Sequence, residues 1–99
     1  MKYDLTNKLA FDSDPVMTVK DIELTVDSDA ETVLMVMEIL ENEGEIAAVR
    51  KCVPMLFSEE GQEKIKNLKL KMKDYSELVI TAVSLAMGED PDEEEAGEQ

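Results

Sequence analysis

Between residues 16 and 26 apolar and polar positions alternate. Ile22, Leu24 and Val26 are separated by Glu23 and Thr25, the period-two pattern of a half-buried strand. A two-residue turn at Lys20-Asp21 sets Val19 opposite Ile22 and Met17 opposite Leu24 on one face, with Thr18 and Glu23 on the other. Residues 16–26 therefore predict a β-hairpin, and a lone hairpin needs a helix on its apolar face. From residue 30 the period changes. Ala30, Val33, Leu34, Met37 and Leu40 form a helical stripe, widened by Val36 and Ile39. Ser28, three residues before Glu31, predicts a capping box, and Asp29 and Glu31 suit the positive end of the helix dipole. Asn42-Glu43-Gly44 supplies the stop. The hairpin face of Met17, Val19, Ile22 and Leu24 is the expected cover for this helix.

Glu45 opens a second helix carrying Ile46, Val49 and Val53, which Pro54 is expected to break or kink. Ser58-Glu59-Glu60 starts a short helical segment bearing Ile65 and Leu68. Residues 68–73 alternate like a strand, yet Ile65, Leu68 and Met72 also fit one helix face, and both readings stand. Asp74-Tyr75-Ser76-Glu77 is a second capping-box candidate. The helix behind it carries Tyr75, Leu78, Val79, Ala82, Leu85 and Ala86 and ends at Gly88. At the N-terminus, Leu5, Leu9 and Phe11 allow a short strand over residues 8–11, followed by a turn at Asp12-Ser13-Asp14-Pro15. From Glu89 onward apolar periodicity ceases. The expected fold is α+β: one domain over residues 1–88, in which a small N-terminal β-hairpin packs on a three- to four-helix bundle, and a disordered acidic tail over 89–99.

Composition narrows what such a domain does. The 99 residues are 43% hydrophobic but only 4% aromatic, with no tryptophan and seven methionines, so the core must be aliphatic. There are 24 acidic residues against 10 basic ones, a net charge of −14, which disfavours nucleic acid as a partner. No apolar run approaches the length of a membrane span and the N-terminus lacks a signal-peptide core, so the expected setting is the cytoplasm. The five lysines of residues 64–73 are expected to neutralise nearby acids, including a diffuse attraction to Asp92–Glu95 of the tail.

Catalysis finds little footing. Without histidine no Ser–His or Cys–His pair exists, and the lone Cys52, in an apolar stretch, is expected in the core. Asp12-Ser13-Asp14 and Asp27-Ser28-Asp29 both begin like calcium loops, but Met17 and Thr32 stand where the sharp-turn glycine belongs, so no metal site is expected. Asp27-Ser28 at a helix start, followed by Val33 to Glu41, resembles the modification site of acyl carrier proteins. That resemblance implies a phosphopantetheine on Ser28. The family has leucine after its serine, where this chain has Asp29, and a long helix ahead of it, where this chain has a hairpin pattern. No cofactor is the preferred expectation.

A second resemblance spans most of residues 3–88. A polar N-terminus, the strands Val16–Val19 and Ile22–Val26, the capped helix from Asp29-Ala30-Glu31-Thr32-Val33-Leu34, then Leu68-Lys69-Leu70, Asp74-Tyr75-Ser76-Glu77-Leu78-Val79 and a close at Met87-Gly88 together resemble the tail assembly chaperones of long-tailed bacteriophages and prophages. The resemblance implies a non-enzymatic protein of the bacterial host cytoplasm. Its partners would be the tape-measure protein, which it keeps soluble, and the tail tube protein, with self-association into a homo-oligomer also open. An unrelated small acidic adaptor is the plainer alternative. Pliable methionine-bearing surfaces suit a client-binding role. The expected contact residues are Met35, Ile39, Met55, Leu56, Phe57 and Met72.

Overall fold

The computed structural model describes residues 1–90. Two strands, β1 (Val16–Val19) and β2 (Ile22–Thr25), precede four helices: α1 (Ala30–Asn42), α2 (Glu45–Leu56), α3 (Glu59–Leu68) and α4 (Met72–Ala86). The architecture is α+β, as the segregated patterns imply. The strands pair antiparallel with Met17 opposite Leu24, Thr18 opposite Glu23 and Val19 opposite Ile22, the register that alternation dictates. Lys20 supplies the turn by taking a positive φ of 55°, although it is not glycine. Met17 and Leu24 are buried, and Val26 continues the ladder by donating its N–H to the Pro15 carbonyl at 2.9 Å.

The core is built on α2 and α4 rather than on α1. Ala48, Cys52, Val53 and Leu56 are buried on α2, and Leu78, Val79, Ala82 and Ala86 on α4, each set spaced to form one face. Helix α1 rests on α2 and α4 and buries only Val36 completely, while β2 packs on α3. The hairpin is therefore not the cover of α1: its apolar face joins Ile65, Leu70 and Leu78 in the common core.

Four local expectations change. Helix α2 runs through Pro54 to Leu56. Pro54 and Arg50 both lie on the exposed side, so water can serve the Arg50 carbonyl that the missing N–H leaves unpaired. Residues 68–73 are neither a strand nor one helix. Lys69 takes a left-handed φ of 52° that ends α3, and α4 starts at Met72, before the candidate box at Asp74. No strand forms over residues 8–11; a single 3₁₀ turn occupies Thr6–Lys8, and Leu5, Leu9 and Phe11 are exposed. The fourth change concerns Ser28, treated below.

Two helix ends follow their chemistry closely. Ser58 caps α3, its Oγ accepting from the Gly61 N–H at 3.1 Å. After α4, Gly88 adopts a φ of 83°. Its N–H donates to the Leu85 carbonyl at 3.0 Å and that of Glu89 to Ser84 at 2.9 Å, the paired bonds of a Schellman motif. Of the expected disordered tail, 89–99, residues 91–99 lie outside the described residues, as does the expected lysine–tail attraction, while the Glu89 N–H is held by the Ser84 carbonyl.

Candidate protein-binding surface

Helix α1 carries more apolar surface than its neighbours cover. At 3.6 residues per turn, Ile39, Val36, Leu40, Val33, Met37 and Leu34 occupy an arc of roughly 220°, interrupted by Thr32 and Glu41 and bordered by Glu38. A helix packed against a core needs an apolar stripe of only about 100°. The consequence is visible in exposure: Leu34 is 65% exposed, Met35 56%, Leu40 45% and Met37 44%. Among these side chains stand Glu31, Glu38 and Glu41, and α1 contains neither lysine nor arginine. The two side-chain ion pairs among the described residues, Glu43–Lys51 at 3.1 Å and Glu60–Lys64 at 3.4 Å, include none of these three glutamates. Glu38 and Glu41 also sit towards the negative end of the helix dipole, where cations are favoured and anions are not.

The expected contact residues divide. Met35 and Met72 are exposed, and Ile39 and Met55 are half-buried against the core. Leu56 and Phe57 are buried and belong to the core, so they are removed from the contact set. Leu56 follows Cys52 on the inner face of α2, and Phe57 packs beside Gly61, where an added Cβ would lie 3.3 Å from the Phe57 Cβ. Leu34, Met37 and Leu40 are the exposed residues of α1 that the expected contact set missed. The available signal was the width of the stripe. Met35, Ile39, Glu38, Asn42 and Glu43 line a shallow groove of about 190 Å³ along the same helix. A larger, open groove of about 450 Å³ lies between β1 and the start of α4, with Met17, Val19, Leu70 and Leu78 in its wall.

Ser28 does not cap α1. The N-cap is Asp29, and the Ser28 Oγ instead donates to Asp14 Oδ1 at 2.7 Å, with the Ser28 N–H on the same oxygen at 3.2 Å. Asp27 organises the helix start: its Oδ1 accepts from the Asp29 N–H at 3.0 Å and its Oδ2 from the Thr32 hydroxyl at 3.1 Å. These bonds draw carboxylates of Asp14, Asp27 and Asp29 within 4.8 Å of one another, which joins the two Asp-Ser-Asp stretches in space. The carboxylates of Asp14 and Asp27 serve as acceptors for Ser28, Asp29 and Thr32, and that bonding accounts for the cluster. Cys52 is fully buried, and desolvation raises its thiol pKa above the ordinary value. Among the described residues no helix is long and apolar enough to cross a membrane.

Comparison with family models, curated proteins and solved structures returned no match.

Proposed function

We propose that this protein is a non-enzymatic chaperone of phage tail assembly, which binds the tape-measure protein in the bacterial cytoplasm and holds it soluble until the tail tube protein encloses it. The observation that supports this reading is the uncovered apolar arc of α1 on a chain of net charge −14. Exposed Leu34, Met35, Met37 and Leu40 give a client apolar contact area, and methionine adapts that area to varied side chains. The surrounding acidity keeps both the free protein and a loaded complex from associating further.

The test is co-expression with the tape-measure product encoded beside its gene. The expected result is a soluble client that co-purifies with this chain and precipitates without it. A neighbouring tape-measure product equally soluble in both cases, or the absence of portal, tube and tape-measure genes nearby, overturns the reading.

A further inference from the structure

We infer that the outer face of α1 is a docking site for a basic amphipathic helix of another protein, seated with its apolar side on Leu34, Met37 and Leu40 and its cations against Glu31, Glu38 and Glu41. The inference rests on the client-binding reading above and names the surface and the chemistry of the partner. Three observations converge on it.

Leu34, Met37 and Leu40 recur every third residue of α1, so their exposed side chains form a row that runs obliquely to the helix axis and winds about 120° around it. Such a row accepts a second helix, which presents anchors at matching spacing. The charge on the face has one sign. Glu31, Glu38 and Glu41 form no ion pair among the described residues, and the last turn of α1 holds no basic residue to balance the helix dipole. Lysine or arginine from a partner answers both deficits, whereas an acidic or neutral helix answers neither.

A second copy of this chain is the poorer occupant. An isologous contact through α1 would set the glutamates against themselves, between molecules that each carry −14. The chain's own lysine-rich stretch presents no continuous helix either, because the left-handed Lys69 divides it between α3 and α4.

Synthetic peptides of about five helical turns test the inference. One carries leucine on one face and lysine on the other, a second has glutamate in place of the lysines, and a third has the first peptide's composition in scrambled order. Titration is followed by calorimetry and by amide NMR shifts of the full chain. The expected result is binding of the lysine peptide alone, with shifts concentrated over residues 31–41 and affinity falling as salt rises. Leu34→Asp with Met37→Asp should weaken binding at least tenfold. Glu38→Gln with Glu41→Gln should weaken it several-fold and flatten the salt dependence. Circular dichroism of both variants should match wild type, since every substituted residue is exposed.

Equal binding of the glutamate or scrambled peptide overturns the inference. So do shifts centred on Tyr3–Phe11 or on Lys66–Met72, or light scattering that shows the wild type already dimeric through α1. The client-binding reading fails separately. If wild type and the Leu34→Asp, Met37→Asp variant keep the tape-measure product soluble equally well, the docking site is wrong and the chaperone reading survives. If neither does, the chaperone reading itself is lost.

Discussion

Leu34 and Leu56 are the same side chain on successive helices, and truncating each to alanine separates core from surface. Leu56 is 0% exposed and Leu34 is 65% exposed. Removing the Leu56 side chain costs its transfer free energy plus the cavity left behind, about 3 kcal/mol within an observed range of about 2–5. For Leu34 only about a third of a burial worth roughly 1.5–3 kcal/mol is at stake, and water fills the space. Alanine's better helix propensity offsets a few tenths more, which leaves about 0.5 kcal/mol. In a domain of this size the first change lowers Tm by about 12–24 °C and the second by only a few degrees. Urea unfolding followed by circular dichroism suits a chain without tryptophan, and the m-value should stay constant across the set. A Leu56→Ala protein within about 1 kcal/mol of wild type would falsify the core assignment. A Leu34→Ala protein as destabilised as Leu56→Ala would show that the outer face of α1 is covered in solution, and would remove the basis for a docking surface there.

Other substitutions probe the caps, the buried thiol and the end of α4. Ser58→Ala should cost about 1 kcal/mol, because the Gly61 N–H loses its acceptor. Ser28→Ala should cost about 0.5 kcal/mol, since its bond to Asp14 is exposed and leaves the N-cap of α1 untouched; chemical denaturation giving the reverse order would restore Ser28 as the cap. Cys52→Ser should destabilise by about 1–3 kcal/mol, and by more than Cys52→Ala, because it buries a hydroxyl with no planned partner. Burial raises the Cys52 pKa, so its linked stability is intact below the ordinary thiol pKa and declines as pH climbs through the folded-state value. Cys52→Ala should remove that part of the alkaline slope; an unchanged difference between the two proteins across that window would refute the linkage. Gly88→Ala should cost about 1–2 kcal/mol through the positive φ, read as lower Tm and faster amide exchange in the last turn of α4.

The hairpin was legible in full because alternation fixes which residues face the core, and a one-residue slip would expose Met17 and Leu24. The inner face of α4 was legible for the same reason at a different period. The cover of α1 was not. Periodicity states that Val33, Val36 and Leu40 share a side, but not whether a hairpin or another helix lies across it. Pro54 does not break α2, because Cys52, Val53 and Leu56 are buried on the same helix and their packing outweighs one lost backbone bond on the exposed side. Ser28 matched a four-residue capping pattern, yet an acceptor fourteen positions earlier holds its hydroxyl. Of the expected contact residues, Leu56 and Phe57 look identical in sequence to surface hydrophobes, since only tertiary packing distinguishes them. Leu34, Met37 and Leu40 were misplaced the other way, because the arc of apolar residues on α1 is wider than a single packing face.

One backbone hydrogen bond ties the loop before α1 to the end of α2: the Asp27 N–H donates to the Leu56 carbonyl at 2.8 Å. Its acceptor belongs to a core residue, so that amide proton is freed only when the core separates. The later amides of α1 lie on a helix with a single fully buried side chain, and they are expected to open through smaller, local excursions. Asp27 therefore marks a boundary in the breathing of the molecule. On its α2 side, proton exchange should track global unfolding, whereas the amides of α1 should exchange through local opening that leaves the packing of α2 on α4 in place.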